Sequence, residues 1–332
     1  MNNSKLKIGF GDYDRTRNLA DGSIKIEGVE ASFKSYRIVT EVFEAMVRDR
    51  AFDIAELGLS YFLRTMDFDD PPFLALPVPL VRCFRHSAIY VNVNSGIRKP
   101  EDLAGKTIGE FAMYGHDAGV WPKGILADDF GVTPDQCRWI IGSLDWPMKP
   151  VDFVPQPHPA NVDVTFAPQG TDLGKMLEEG KIDALIAADV PKCYLDKSPK
   201  VARLFADHEA TEREYFQRTG IFPIMHLVAV RRELAMQPEL MQAVYKGFCE
   251  AKDAIRQQQI KGMVFNNMAT MVPWLSRLLD ENISLMGEDW WPYGLEANRK
   301  TIDTFLRYHF EQGLSKRHLT CEEIFAPGIM HT

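Results

Sequence analysis

Titratable side chains gather at a few short stretches of the chain. Gly11-Asp12-Tyr13-Asp14-Arg15-Thr16-Arg17 sets carboxylates, a phenol and guanidinium groups on one turn directly after a strand-like segment. Arg15 or Arg17 could grip an anion bidentately there; the alternative is a solvated loop whose charges neutralise one another. Arg85 and His86 are adjacent at the start of a second strand-like segment, so their side chains face opposite ways and at least one can face a cleft. His226 lies in Thr219–Val230 and comes near His86 if the two stretches run side by side. In Ala112-Met113-Tyr114-Gly115-His116-Asp117, Asp117 suits a helix N-cap. That would leave Tyr114 and His116 at a helix N-terminus, where backbone N–H groups favour an anion. Thr171 is placed similarly ahead of another helix, and Ser60 closes a strand where its hydroxyl could meet a ligand. Imidazole suits proton transfer near neutral pH, since its ordinary pKa is about 6.5.

Other chemistries find little support. The chain has no G-x-S-x-G, H-E-x-x-H, P-loop or G-x-G-x-x-G pattern. Its five cysteines are scattered without C-x-x-C spacing, so neither a zinc site nor a disulfide framework is indicated. No metal ligand set is assigned; a divalent ion is left open, through dispersed His and Asp residues only. Trp290-Trp291-Pro292-Tyr293 reads as core, and Asp67, Asp69 and Asp70 as a solvated loop.

The 332 residues are 45% hydrophobic and 25% charged, enough to bury a core in about two domains. Lys+Arg number 38 against 46 Asp+Glu, a net charge of −8 that argues against a nucleic-acid partner. Any anionic ligand must be captured by a local group of Arg or His against that field. No apolar run reaches the roughly 20 residues of a membrane span. The N-terminus runs straight into a strand pattern without a signal-peptide core, and with the scattered thiols this predicts a cytoplasmic protein.

Strand and helix patterns alternate, which predicts an α/β architecture with largely parallel sheets. Expected strands are 6–11, 52–57, 87–93, 106–110, 182–187 and 224–230; expected helices are 39–49, 118–130, 172–179, 238–259 and 294–312, the last stopped by Gly313. Thr320-Cys321-Glu322-Glu323 reads as a capping box. Six prolines between Pro147 and Pro168 mark an extended, semi-rigid connection.

The run Arg98-Lys99-Pro100-Glu101-Asp102-Leu103-Ala104-Gly105-Lys106-Thr107-Ile108-Gly109 resembles the crossover into the second lobe of the type 2 periplasmic-binding-protein fold. That resemblance implies a two-lobed molecule with a central cleft and two hinge crossovers. Lobe I would comprise 1–90 and 226–332, and lobe II the inserted 91–225. Four further stretches resemble the 4,5-dihydroxyphthalate decarboxylase family in the right order: Gly11–Thr16, Phe84–Asn92, Thr219–His226 and Trp291–Arg299. So does the tail Tyr308–Leu314 with Glu323–Pro327, and the likeness spans residues 7–328. The loop Phe111–Trp121 is longer and more polar than the family's usual one.

The resemblance implies a cytoplasmic enzyme that converts 4,5-dihydroxyphthalate to protocatechuate and carbon dioxide. The same fold could instead serve a non-catalytic solute-binding protein for an aromatic or other anionic ligand. Direct loss of carbon dioxide from an arene would leave an unstabilised aryl carbanion, so the carboxylated carbon must be protonated first. A para hydroxyl then holds the intermediate as a quinonoid. This needs a general acid over the ring, a base at the catechol and cations for the carboxylates. His86 or His226 is expected as the acid, with Arg15 and Arg85 at the carboxylates. His116, Asp117 and Tyr114 are expected at the catechol, and Asp12, Tyr13 and Ser60 against the ligand. No organic cofactor is required, and a homo-oligomer binding a small aromatic carboxylate is expected.

Overall fold

A computed structural model describes residues 5–146, 148–266, 268 and 270–332; the expectations for residues 1–4 and for Pro147 lie outside these described residues. In chain order, the first sheet begins with β1 (Lys5–Gly11), α1 (Asp14–Ala20), β2 (Glu30–Tyr36) and α2 (Val39–Val47). It continues with β3 (Ile54–Gly58), α3 (Leu59–Thr65) and β4 (Phe73–Arg82). The chain then crosses over through 83–88. A second sheet follows with β5 (Ile89–Asn92), β6 (Thr107–Phe111), α4 (Asp117–Phe130), β7 (Arg138–Gly142) and β8 (Asp163–Phe166). It ends with α5 (Leu173–Glu178), β9 (Ala184–Ile186), α6 (Lys192–Leu195), β10 (Val201–Arg203) and α7 (His208–Thr219). After the return at 220–223 come β11 (Ile224–Arg231), α8 (Arg232–Ala235) and α9 (Pro238–Val264). The remaining helices are α10 (Leu275–Met286), α11 (Arg299–Glu311) and α12 (Cys321–Ile324).

The strand orders are β2-β1-β3-β11-β4 in the first lobe and β10-β5-β9-β6-β7-β8 in the second. Both sheets are mixed, which corrects the expectation of largely parallel sheets. β1 is parallel to β2 and β3, whereas β11, the strand arriving from the crossover, is antiparallel to β3 and β4. In the second sheet β5 is likewise the antiparallel newcomer beside β9. Each sheet owes its mixed character to the strand nearest a crossover.

β4 was not anticipated, because Pro77 and Pro79 lie inside it. Proline lacks the ladder N–H and is tolerated on an edge strand, which is where β4 lies. Its free carbonyls do not go unpaired. Gly294 N–H donates to Pro77 O (2.8 Å), Trp291 Nε1 to Pro79 O (2.8 Å) and Arg15 Nε to Leu80 O (2.5 Å).

The expected helix at 294–312 starts later. A short 3-10 turn at Glu296–Asn298 precedes α11, and Gly313, at φ +70°, closes it. Helix α11 packs on α4, which lies in the expected lobe II. Trp121 of α4 packs against Phe305 (5.6 Å between centroids) and Tyr308 (5.7 Å), and Gln312 Nε2 donates to Val120 O (2.9 Å). The chain then comes back to the first sheet, where Ala326 N–H donates to Ala75 O (3.0 Å). No helix of the described residues is long and apolar enough to cross a membrane.

Candidate active site between the lobes

Glu56 lies in the middle of β3, fully buried, in a strand that is otherwise apolar. A buried carboxylate must be paired, and this one has three donors. Gly11 N–H and the Tyr13 hydroxyl each donate at 2.8 Å, and His226 Nδ1 lies 2.6 Å away. Burial first, then the neighbouring Glu56 carboxylate, push the Tyr13 hydroxyl far above its ordinary range, so Tyr13 is a neutral donor.

His226 reaches Glu56 because of strand register. It is paired with Gly58 across β3–β11, two residues along from the pair Val228–Glu56, so imidazole and carboxylate share a face. Irregular pairing of β11 with β4 on either side of His226 marks a bulge, a device that re-aims a side chain. The ring stands edge-on to Phe43 (5.1 Å).

Asp117 comes to the same place from the other lobe. It is the first residue of α4, with His116 as the cap, so the N-cap role expected of Asp117 is not the one it plays. Its carboxylate accepts the Ser60 N–H (2.5 Å) and lies 4.0 Å from His226 Nε2. The approach depends on Gly58, since a Cβ there would sit 2.3 Å from Asp117 Oδ2. Burial raises the Asp117 pKa, opposed by His226 and by the Ser60 N–H. The result is a continuous line of groups, Tyr13–Glu56–His226–Asp117, with its last member supplied by lobe II. Carboxylate, imidazole and an acid of raised pKa in sequence can hold and hand on a proton.

The other expected residues distribute as follows. Ser60, fully buried, donates its hydroxyl to Gly115 O (2.5 Å). Arg85, buried at the crossover, meets Met225 Sδ (3.1 Å) and Ala188 O (3.5 Å), contacts that, among the described residues, leave other N–H groups of its guanidinium unengaged. Arg15 is held between the rings of Tyr13 (4.2 Å) and Trp291 (4.7 Å), beside a hollow of about 160 Å³ shared with Lys252 and Asp289. Asp12 remains exposed.

Three expectations need correction. His86 does not sit on a strand beside His226; it opens a 3-10 turn and is buried against Phe205 (5.2 Å) and Tyr215 (5.1 Å). Burial among these rings lowers its pKa to about 4, so it is neutral at pH 7. The Tyr114 ring is buried against Trp139 and His158, with the Lys123 ammonium 3.8 Å from its centre, rather than turned to His226. His116 is buried with Nδ1 3.3 Å from Glu110, and its Nε2 has no hydrogen-bond partner among the described residues. These contacts make His116 a neighbour of Asp117 rather than a link in the line.

Several buried charged residues at the site escaped the sequence reading. Glu110 is fully buried and accepts Lys123 Nζ (2.7 Å) and Gly115 N–H (2.9 Å). Burial works against its charge, but Lys123 and His116 outweigh it and keep the pKa low. Burial brings the Lys123 ammonium down to about 8. Arg64, fully buried on α3, donates to backbone carbonyls of the Tyr114–Gly115 loop. The available signal was a lone charge in an apolar run, as in Ile54-Ala55-Glu56-Leu57 or Tyr61-Phe62-Leu63-Arg64, since unpaired charges are almost never buried. Among the described residues, no group of three or more His, Cys, Asp or Glu side chains is placed to hold a metal ion.

The two mixed sheets, their strand orders and the double crossover define the type 2 periplasmic-binding-protein-like fold. Solved structures agree. The periplasmic aliphatic sulphonate binding protein SsuA from Escherichia coli superposes with a TM-score of 0.54 at 14% identity, covering 97% of this chain and 91% of that one. A putative SsuA from Methylobacillus flagellatus gives 0.58 at 13%, covering 98% and 92%. At such identity the likeness concerns the fold alone. No family model matches the sequence. Among curated proteins, 4,5-dihydroxyphthalate decarboxylase of Comamonas testosteroni is 34% identical over 100% of this chain and 99% of its own length. The Pseudomonas putida protein of the same name is 33% identical over 65% of this chain and 83% of its own length. The chain belongs to the 4,5-dihydroxyphthalate decarboxylase family.

Proposed function

We propose that the protein is a carboxy-lyase that decarboxylates 4,5-dihydroxyphthalate to protocatechuate and carbon dioxide without oxidation, in the cytoplasm. The observation that carries this reading is the Glu56–His226–Asp117 line across the lobes, with Nδ1 of His226 2.6 Å from Glu56. Family membership supplies the substrate.

The chemistry requires a proton on the carboxylated ring carbon before the C–C bond breaks. His226, oriented by Glu56, delivers that proton through Nε2. The para hydroxyl gives up its own proton to Asp117, which yields a dienone whose ring is uncharged while the carboxylates stay ionised. The C–C bond then breaks, carbon dioxide departs, and the bonding pair returns through the ring to the para oxygen. Asp117 gives its proton back to that oxygen, and solvent restores His226. One proton is consumed per turnover and no oxidant or reductant is needed. Arg85, with N–H groups to spare at the crossover, holds a substrate carboxylate. Arg15 fixes the Tyr13 ring that supports Glu56. Closing the lobes excludes water and strengthens each of these contacts.

A solute-binding role remains the second reading, favoured by the fold of the sulphonate-binding neighbours. Binding alone has no use for a buried imidazole–carboxylate line. Incubating the protein with 4,5-dihydroxyphthalate and a panel of other hydroxylated aromatic acids, and following carbon dioxide, separates the two. Release from 4,5-dihydroxyphthalate supports the lyase; binding without release from any acid of the panel supports the carrier.

A further inference from the structure

The proline-rich connection between β7 and β8 is left over once the reaction has been described. Both strands belong to the second sheet, yet the segment 150–162 between them runs across to the first lobe. It meets the region of α2 and α3 there at three positions. Asp152 pairs with Arg48, just past the end of α2. Phe153 stacks on Tyr61 of α3, with centroids 5.8 Å apart and planes at 16°. Pro155 O accepts Arg64 Nη1 at 2.7 Å. Val151 and Val154 are buried in the same core as the lobe I residues. Prolines 155, 157 and 159 remove ladder donors, so side chains of lobe I must anchor the segment. The far end is fixed as well, with Pro159 pressed over Gly313 after α11.

Arg64 joins two pieces of lobe II at once. While Nη1 binds Pro155 O, Nη2 donates to Tyr114 O (2.6 Å) and Gly115 O (3.3 Å) in the loop that leads into Asp117. Two residues along from Tyr114–Gly115, Asp117 completes the active line. The groups behind this closure are barely accessible: Glu56 and Ser60 are 0% exposed and Asp117 is 5% exposed. At this burial, a ligand reaches them only after surrounding groups move.

We infer that residues 150–162 form a strap across the cleft and that Arg64 is its latch, a positioning residue that fixes strap and Tyr114–Asp117 loop together on lobe I. The planar guanidinium serves this role because its fork spans carbonyls on two segments; a lysine ammonium on the same helix turn cannot bridge both. Opening the site means releasing these hydrogen bonds, after which strap and loop lift as one. The inference rests on the site proposed above only for what the strap covers, not for the reaction performed there.

The test is thiol labelling of Val154→Cys without ligand, with peptide mapping to separate this position from the native cysteines. In the otherwise unchanged protein the thiol should react slowly, because position 154 is buried. Adding Arg64→Lys should speed labelling at least about tenfold, the worth of one charge-assisted hydrogen bond. Adding Arg48→Ala should speed it by no more than about fivefold, as expected for an exposed ion pair. In turnover of 4,5-dihydroxyphthalate, Arg64→Lys should lower kcat, because Asp117 is no longer held in place. Rapid labelling of Val154→Cys alone, or a rate untouched by Arg64→Lys, overturns the latch. If Arg64→Lys does not fold, the labelling rate of Val154→Cys in the parent background decides, and rapid labelling there overturns the strap. Labelling needs no substrate, so absent turnover with the expected labelling pattern counts against the reaction and not against the strap.

Discussion

Glu56 Oε1 lies 2.6 Å from His226 Nδ1, joining residues 170 positions apart across two antiparallel strands of lobe I. The contact orients the imidazole so that its other nitrogen faces Asp117 of lobe II, 4.0 Å away. Substituting Glu56→Gln keeps the shape and removes the charge. We expect kcat for carbon dioxide release to fall about 10²- to 10⁴-fold, the usual worth of general acid–base catalysis. Glu56→Ala goes further, because it strands the buried Gly11 N–H and two partly buried donors, Tyr13 and His226, and should cost about 3–5 kcal/mol in denaturant unfolding.

Asp117 makes activity and stability move in opposite directions. Burial raises its pKa above the unfolded value, so the folded chain binds this proton more tightly than the unfolded chain does. The stability this contributes is complete below the unfolded pKa of about 3.9 and is lost as pH rises through the higher folded value. Asp117→Asn should therefore abolish turnover yet melt at a higher temperature than the parent at pH 7. Near pH 3 the two melting temperatures should converge. An Asn variant less stable than the parent at pH 7 would contradict the assignment.

Gly58 is the position where His226 and Asp117 obtain their room. An alanine Cβ would sit 2.3 Å from Asp117 Oδ2 and 2.8 Å from the Tyr61 ring. Gly58→Ala should cost about 1–3 kcal/mol by overpacking. It should also lower kcat through the displaced carboxylate, seen as a kcat decrease larger than any rise in KM.

His86 should matter to acid stability and not to catalysis. With a folded pKa of about 4 against about 6.5 unfolded, it takes up a proton on unfolding anywhere between those values. Stability is therefore lost as pH falls from about 6.5 toward 4, by as much as about 3 kcal/mol. His86→Leu should flatten that acid limb in urea titrations and leave kcat within about twofold, since nothing it touches reaches the Glu56–His226 line. A kcat collapse in this variant would restore His86 as the ring-proton donor.

His226 and Asp117 were candidates before any coordinates because one follows the return crossover and the other lies in the turn ahead of a helix, and the structure brings them 4.0 Å apart. The two-lobed fold was legible through the resemblance of the run from Arg98 to Gly109 to the crossover of that fold. Glu56 and Arg64 were not, because a single charge inside an apolar run gives no periodicity and its partners are contributed by distant segments. His86 misled for the converse reason. Adjacency to Arg85 suggested a cleft-facing strand, whereas the Ala88 N–H bonds back to Arg85 O and turns the chain toward Phe205 and Tyr215. The edge position that permits the prolines of β4 is likewise a property of the sheet, invisible along the chain.

The most direct test is a single turnover of 4,5-dihydroxyphthalate in heavy water, comparing the parent protein with His226→Gln. The parent should release carbon dioxide and leave one deuterium on the ring carbon that lost it, while His226→Gln binds the acid and leaves its carboxylates in place. Deuterated product formed by His226→Gln at the parental rate would contradict the assignment of His226 as the ring-proton donor.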